Sequence, residues 1–366
     1  MNRSFFVIGG AALIAAAGLV YGAGRLAMPF QHPDRFVWHS RAELVSDLEN
    51  GKLVRQTLIL GDSQSMSGLR PDLFGPEYGK VYNLGLPSAQ PEALLSLLPA
   101  LEKQRPSLII VNISPYSLYR TEVYNAFLGY YRSEFIGLHW PNPLRRPYLY
   151  GESAGEALGT VFAGLKLYHA NSALRNMATD ESFSLMVSPG PFPGLGYAKP
   201  SGKSLSTPPD VWKKLQGLKS KNELLGQILA ATQGFWTWRD FRMPPTSCHS
   251  EELRPLPATV VFKERPEAMQ AWKDFLRQAT QYSDRVVVVS IPFSPAWHET
   301  VDRILPSSKL SQSVHSIVDE IPGGIEYIAG PTDYENEDFY DWNHLDYCGA
   351  ERYTRFLTEA LSGQKK

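Results

Sequence analysis

Short, continuous apolar runs recur along the chain and alternate with longer amphipathic stretches. In the amphipathic stretches, apolar residues return every three or four positions, which is the period of a helix with one buried face. The apolar runs have the length of strands, and strands without polar alternation are typical of parallel sheets covered on both faces. The pattern therefore predicts an α/β fold. Its strands are expected at Leu58–Leu60, Val81–Gly85, Ser107–Ile113, Arg285–Ile291 and Glu326–Ala329.

The predicted core helices carry ordinary start and stop signals. Ser40 is expected to cap the first helix, after a polar spacer at 26–39 and before a stop at Gly51. The last helix is expected to close the fold near the C-terminus. The predicted helices are Ser40–Asn50, Pro91–Lys103, Glu267–Tyr282 and Gly349–Ser362.

The alternation of strands and helices stops after the third strand and returns near residue 265. The intervening region contains two predicted helices, 154–178 and 211–232, and a loop rich in Pro, Gly and Ser at 188–209. We interpret it as a largely helical insertion that forms a cap or side wall. The predicted organisation is an N-terminal segment at 1–25, a spacer and helix at 26–50, a core at 51–119 and 265–366, and the insertion at 120–264.

The insertion contains Trp140, Trp236 and Trp238. Aromatic rings of this kind either stack on ligands such as sugar rings or pack in a core. The sequence leaves both alternatives open.

The N-terminal segment has no charged residue between Arg3 and Arg25. Its apolar run, Phe5–Gly24, has about the 20 residues that a helix needs to cross a bilayer. The small residues at the end of this run also fit cleavage of a signal peptide. The length of the run favours a transmembrane anchor. In either case, we expect the bulk of the chain to be periplasmic or otherwise extracytoplasmic.

Charge and cysteine content exclude some classes of function. The 366 residues carry a formal net charge of −1, and no basic stripe indicates a nucleic-acid partner. Cys248 and Cys348 are the two cysteines. In an oxidising compartment they can pair, although the sequence does not show whether their Cα atoms come close. Neither has metal-ligand spacing, so we expect no metal site and no cofactor.

The first predicted strand ends at a turn that carries candidate chemistry. Gly61, Asp62 and Ser63 follow this strand directly. Open parallel sheets hold their sites at the carboxyl ends of strands. A serine hydroxyl is a weak nucleophile until a base takes its proton. Ser63 is therefore a candidate nucleophile if the chain also supplies a base.

A histidine with a nearby carboxylate lies just before the last predicted helix. Asp341 precedes His344 by three residues. In a catalytic triad the carboxylate fixes the histidine tautomer and stabilises the imidazolium, and losing it can cost roughly 10⁴ in turnover. Ser63, His344 and Asp341 therefore predict nucleophilic catalysis. The alternative is a helix-capping serine and a structural histidine.

These two blocks resemble sequence blocks of the SGNH (GDSL-type) hydrolase superfamily. Gly61-Asp62-Ser63 resembles the first block of that superfamily, and Asp341-x-x-His344 resembles the last. The nearest resemblance is to membrane-anchored SGNH-like proteins of bacterial polysaccharide O-acetylation, such as the alginate O-acetylation proteins. It implies a three-layer fold with a parallel sheet, a catalytic triad and chemistry on ester-linked acyl groups.

The resemblance also implies hydrogen-bond donors for an oxyanion. Gly85 matches a position whose backbone N–H binds the oxyanion in that superfamily. The G-x-N-D block expected after the third strand is absent, and Ser114-Pro115-Tyr116 stands there instead. Tyr116 lies where the Asn is expected and can donate through its phenol, and Asn112 is a second candidate. The alternatives are a glycine needed only for the turn and a Tyr116 packed against other aromatic residues.

The resemblance and the predicted anchor favour an O-acyltransferase or esterase that acts on an envelope or exported polysaccharide. A membrane acyl-donor protein is a candidate partner. Residue identities do not decide whether water or a sugar hydroxyl accepts the acyl group. Two other hypotheses stay open: a non-catalytic polysaccharide-binding or assembly protein, and a lipase or thioesterase.

Overall fold

In a computed structural model, the described residues are 33–52, 54, 56–119, 221–237 and 262–363, together with positions 9–12, 14–16, 18, 19, 22, 127, 131, 135 and 248. Ser40–Phe127 and Gly226–Lys366 form one compact unit. This unit contains the sheet and the predicted site residues.

Five parallel strands form one sheet in the order β2–β1–β3–β4–β5. All five predicted strands are observed, and the predicted α/β fold with a parallel sheet is confirmed. The strands are β1 (Thr57–Leu60), β2 (Val81–Asn83), β3 (Leu108–Asn112), β4 (Val286–Val289) and β5 (Glu326–Ile328).

Helices connect the strands, as a parallel sheet requires. Short 3₁₀ turns lie at Pro71–Leu73, Pro76–Tyr78 and Asn336–Asp338. The helices of the described residues are α1 (Pro33–Glu49), α2 (Ser63–Gly68), α3 (Pro91–Leu95), α4 (Leu98–Gln104), α5 (Pro115–Leu118), α6 (Lys221–Ala231), α7 (Pro266–Tyr282), α8 (Pro295–Val301), α9 (Ser307–Val318) and α10 (Tyr347–Gly363).

The central strands bury both of their faces. Ile59 of β1 and Ile110 of β3 belong to an apolar cluster that includes Tyr353 and Leu357 of α10. Successive side chains of a strand point to opposite faces, and the neighbours of these residues in β1 and β3 are also buried. Helix α7 contacts β4 outside that cluster, and α3, α4 and α9 pack against α7. The apolar strand runs are therefore explained by helices on both faces of the sheet.

The strand order reverses between β1 and β3. The chain moves from β1 out to β2 and then crosses back to β3. In doubly wound sheets, ligands bind outside the carboxyl ends of the strands at such a reversal. β1 ends at Leu60 and β3 ends at Asn112, so the turns that carry Ser63 and Ser114 lie at this point of the sheet.

The first helix begins earlier than the sequence predicts. Helix α1 starts at Pro33, so Ser40 lies inside the helix and does not cap it. Proline is favoured in the first turn of a helix because it lacks an N–H that would have no partner there. Trp38, Ala42 and Val45 are buried at a helical spacing, which continues the pattern across Ser40.

The predicted helix Pro91–Lys103 is divided in two. Helix α3 ends at Leu95 and α4 begins at Leu98. Pro99 cannot donate a backbone hydrogen bond in the interior of a helix. At the second position of α4, the missing donor costs nothing.

Only part of the predicted insertion lies within the described residues. There, Gln233 accepts a hydrogen bond from the backbone N–H of Asn83 in β2 at 2.9 Å, and the N–H of Trp236 donates to Met66 O of α2 at 3.2 Å. Trp236 is fully buried, so its ring belongs to the core. Trp140 and Trp238 lie outside the described residues.

Half of the positions in the predicted anchor, Phe5–Gly24, lie outside the described residues. Within the part of the chain that the structure describes, no helix is both long enough and apolar enough to span a bilayer.

A disulfide joins Cys248 to Cys348, and the two Cα atoms are 5.3 Å apart, which is an ordinary spacing for such a bond. The bond spans 100 residues of sequence. Cys348 is the second residue of α10. The pairing that the sequence left open is therefore present.

We expect the double variant Cys248→Ser/Cys348→Ser to unfold at a lower temperature than the oxidised protein. Closing a loop of about 100 residues restricts the unfolded chain, and such bonds typically stabilise by about 2–4 kcal/mol. Thermal unfolding of the oxidised protein, the reduced protein and the double variant checks this. The reduced protein and the double variant should have the same melting temperature, below that of the oxidised protein. Equal melting temperatures for all three would contradict the expectation.

Candidate active site

The turn after β1 buries one polar side chain and leaves the next accessible. Gly61 has a φ of +136°, which side chains rarely adopt, and an added Cβ would lie 3.1 Å from Asn112 O. Asp62 caps α2, with its Oδ1 accepting a hydrogen bond from the backbone N–H of Gln64 at 2.9 Å. Asp62 and Gln64 are buried, whereas Ser63 is half-buried. The turn therefore presents the Ser63 hydroxyl at the edge of the sheet.

Ser63, His344 and Asp341 converge at this edge, as the sequence predicts. His344 Nε2 lies 2.8 Å from Ser63 Oγ. His344 Nδ1 lies 2.9 and 2.8 Å from the two carboxylate oxygens of Asp341. The His344 and Asp341 side chains are 16% and 25% exposed. One ring nitrogen thus faces a hydroxyl and the other a carboxylate, which is the arrangement of an activated nucleophile.

The backbone also holds the Asp341 carboxylate. Its Oδ1 accepts hydrogen bonds from the N–H groups of Asn343 at 3.1 Å and His344 at 3.0 Å. Burial alone raises the pKa of Asp341, but the charge of His344 and these hydrogen bonds outweigh it and hold the pKa below its ordinary value. An ionised Asp341 favours a proton on His344 Nδ1, which leaves Nε2 to accept the proton of Ser63.

A second carboxylate, Asp62, is buried beneath the turn. Ser114 Oγ donates to its Oδ2, and Asn112 Nδ2 donates to its Oδ1 at 3.4 Å. Burial raises the pKa of Asp62, and these hydrogen bonds and the charge of His344 offset only part of that effect. Ser114 also caps α5. The sequence analysis did not single it out, although a serine before proline after a strand signals a helix cap.

Asn112, a predicted oxyanion donor, is buried in the polar network around Asp62. Its Oδ1 accepts a hydrogen bond from the N–H of Ile291 at 3.2 Å, and its Nδ2 also donates to Gln64 Oε1 at 3.5 Å. Asn112 therefore links the carboxyl ends of β1, β3 and β4.

Gly85, the predicted backbone donor, packs directly against α2. An added Cβ would lie 2.9 Å from Asp62 O. The Gly85 N–H donates to Asn83 Oδ1 at 2.9 Å, while Asn83 Nδ2 donates to the carbonyl oxygens of Ser65 and Leu69. The glycine is required for this close approach. Its N–H would have to share or break the hydrogen bond to Asn83 Oδ1 before it could bind an oxyanion.

Tyr116 lies in an aromatic cluster at the carboxyl end of β3. Its ring centroid is 5.4 Å from that of Trp297 and 6.2 Å from that of Phe262. Tyr116 therefore packs against other aromatic residues, as in the alternative that the sequence left open. Tyr116 is 7% exposed.

The loop after β2 contains a residue that the sequence analysis missed. Ser88 has a φ of +58°, and strained backbone of this kind often marks functional sites. Leu86 N–H donates to Gly61 O at 3.1 Å, which fixes the loop against the turn after β1. Buried Arg265 donates to Gln90 Oε1 at 2.6 Å, and Gln90 Nε2 donates to Ser88 O at 3.4 Å. No sequence signal marks Ser88, because glycine is the usual residue at such a φ.

Among the described residues, no group of three or more His, Cys, Asp or Glu side chains could hold a metal ion.

No protein-family model matches the sequence, and a search of curated proteins finds no match.

Proposed function

We propose that this protein is a membrane-anchored, SGNH-like serine acyltransferase or esterase that acts on O-acetyl or other acyl groups of an envelope or exported polysaccharide. The observation that carries the reaction class is the 2.8 Å contact between Ser63 Oγ and His344 Nε2. The parallel sheet, with Ser63 at the point where the strand order reverses, supports the three-layer fold of this proposal.

In the first step, Ser63 Oγ attacks the acyl carbonyl as His344 Nε2 takes the hydroxyl proton. The imidazolium is stabilised by the Asp341 carboxylate. When the tetrahedral intermediate collapses, the bond to the leaving alcohol breaks and His344 protonates that alcohol. The acyl group is then esterified to Ser63.

In the second step, His344 takes a proton from water or from a sugar hydroxyl, which attacks the acyl-enzyme. Collapse releases the acyl group to that acceptor, and His344 returns the proton to Ser63 Oγ. Esterase and transferase differ only in the acceptor.

The oxyanion formed in both steps needs donors, each worth about 10²–10³ in turnover. The Ser63 N–H is one candidate, because the first N–H groups of a helix have no acceptor within the helix. The Ser88 N–H is a second, since the loop that carries it is fixed against Gly61. Gly85 remains a candidate if its N–H gives up the hydrogen bond to Asn83 Oδ1. Tyr116 remains a candidate if its ring moves within the aromatic cluster that contains Trp297.

The disulfide between Cys248 and Cys348 supports a location outside the cytoplasm, because such bonds persist in oxidising compartments. The apolar segment Phe5–Gly24 would hold the protein at the membrane, close to an acyl-donor protein there. These assignments are part of the proposal.

One observation favours a second candidate, a non-catalytic polysaccharide-binding or assembly protein. Of the predicted oxyanion donors, Asn112 is buried in the network around Asp62, and Gly85 is bonded to Asn83. A protein that had lost catalysis would tolerate this. The first experiment below separates the two candidates.

We expect a fluorophosphonate probe to label the wild-type protein at Ser63. Labelling should be lost in Ser63→Ala, which removes the nucleophile, and strongly reduced in His344→Ala, which removes the base. Ser65→Ala is a matched control: Ser65 lies in the same helix, is buried and donates to Leu60 O at 3.1 Å. It should label like wild type. Wild-type protein that does not label, or labelling that survives in Ser63→Ala, would reject the enzyme.

Asp341→Asn should slow labelling by roughly 10⁴, because the amide no longer fixes the histidine tautomer.

The Asp341 pKa is lower in the folded protein, so its stabilising contribution is present above its unfolded pKa of about 3.9 and is lost as the pH falls through the folded pKa. The difference in melting temperature between wild type and Asp341→Asn should therefore shrink as the pH falls below about 4. A difference that grows in acid would contradict this sign.

We expect a polysaccharide fragment to compete with water for the acyl-enzyme. With a chromogenic acetyl ester as donor, acetylated oligosaccharide should form and free acetate should decrease, both measured by mass spectrometry. Ser63→Ala should form neither product above background. Acetate as the only product, across neutral and uronate-containing oligosaccharides, would contradict the transferase and leave the esterase.

A further inference from the structure

Gln64, the residue after the candidate nucleophile, reaches the opposite end of the chain. It is 1% exposed. Its Nε2 donates to Asn343 O at 2.9 Å, across 279 residues of sequence, and its Oε1 accepts from Asn112 Nδ2 at 3.5 Å. The side chain therefore connects α2 to the loop that carries Asp341 and His344.

The bond from Gln64 fixes a particular peptide group. The carbonyl of Asn343 and the N–H of His344 belong to the same planar unit. Gln64 Nε2 holds its oxygen at 2.9 Å, and Asp341 Oδ1 accepts from its N–H at 3.0 Å. Because both its oxygen and its N–H are held, the orientation of this peptide group is fixed. The position of the His344 Cα, from which the side chain extends, is fixed with it.

Other bonds hold the same loop to different elements. The N–H and Oγ of Ser294 both donate to Trp342 O at 3.0 Å, and Tyr340 N–H donates to His344 O at 2.8 Å. These contacts fix the loop against the segment after β4 and against itself. The bond from Gln64 differs because it begins on the helix that carries Ser63.

We infer that Gln64 is a positioning residue, which holds His344 in register with Ser63 for the proposed reaction. This inference rests on the proposed function for its effect on rate, but not for its effect on the loop. A displacement of about 1 Å at a reacting group can lower the rate by about 10²-fold. The substrate does not contact Gln64 in this account, so binding should be unaffected.

The test compares Gln64→Met, which removes both hydrogen bonds at similar size, with Ser65→Ala, which removes a buried bond from the same helix without touching the loop. One readout is the dependence of fluorophosphonate labelling on probe concentration. Gln64→Met should lower the maximal labelling rate by up to about 10²-fold with little change in the half-saturating concentration. The second is hydrogen exchange of the His344 amide, which should become faster.

Ser65→Ala should retain the wild-type labelling rate and His344 protection. An unchanged rate and unchanged protection in Gln64→Met would overturn the inference. So would equal losses in Ser65→Ala, since they would indicate general weakening of α2. If wild-type protein does not label, the proposed function fails, and hydrogen exchange alone decides the role of Gln64. If Gln64→Met does not fold, Gln64→Glu, which keeps the acceptor and replaces the donor, is tested by the same readouts.

Discussion

The burial of the Asp62 carboxylate constrains the whole candidate site. A buried charge is costly unless protein donors replace water. Here the donors come from three elements: the N–H of Gln64 in α2, the amide of Asn112 at the end of β3 and the hydroxyl of Ser114 at the start of α5. Satisfying Asp62 therefore joins the ends of β1 and β3 and leaves Ser63 as the accessible residue of the turn.

The same network extends to the segments that bring in the base. Asn112 connects to the end of β4 through the N–H of Ile291, and Ser294, three residues further on, holds Trp342 in the loop before His344. Ser63 and His344 are separated by 281 residues of sequence, whereas proton transfer requires contact within about 2.6–3.2 Å. The parallel sheet solves this problem by bringing the carboxyl ends of distant strands to one edge, and the buried polar side chains fix the loops there.

The parts of the fold that depend on local pattern were predictable from the sequence. The strand positions follow from apolar runs, and the pairing of Ser63 with His344 and Asp341 follows from two short blocks at the ends of such elements. Ser40 does not cap the first helix, although serine favours that position, because the apolar period of Trp38, Ala42 and Val45 continues across it.

The surroundings of the triad were not predictable in the same way. Gln64 has no local signal, since its partner Asn343 is far away in sequence and contributes only a backbone carbonyl. The resemblance implied Gly85 as an oxyanion donor, and Asn112 was a second candidate beside Tyr116. The hydrogen bonds of Asn112 to Asp62 and of Gly85 to Asn83 depend on side-chain direction, which strand position alone does not determine.

In the proposed reaction, Ser63 carries the acyl group. The most direct measurement is acid quenching of the protein during its reaction with a chromogenic acetyl ester, followed by mass spectrometry of the intact chain and its peptides. We expect a mass increase of one acetyl group on the peptide that contains Ser63, formed at the rate at which the chromophore is released. Release of chromophore without acetylation of that peptide, or acetylation that persists at the same rate in His344→Ala, would contradict it.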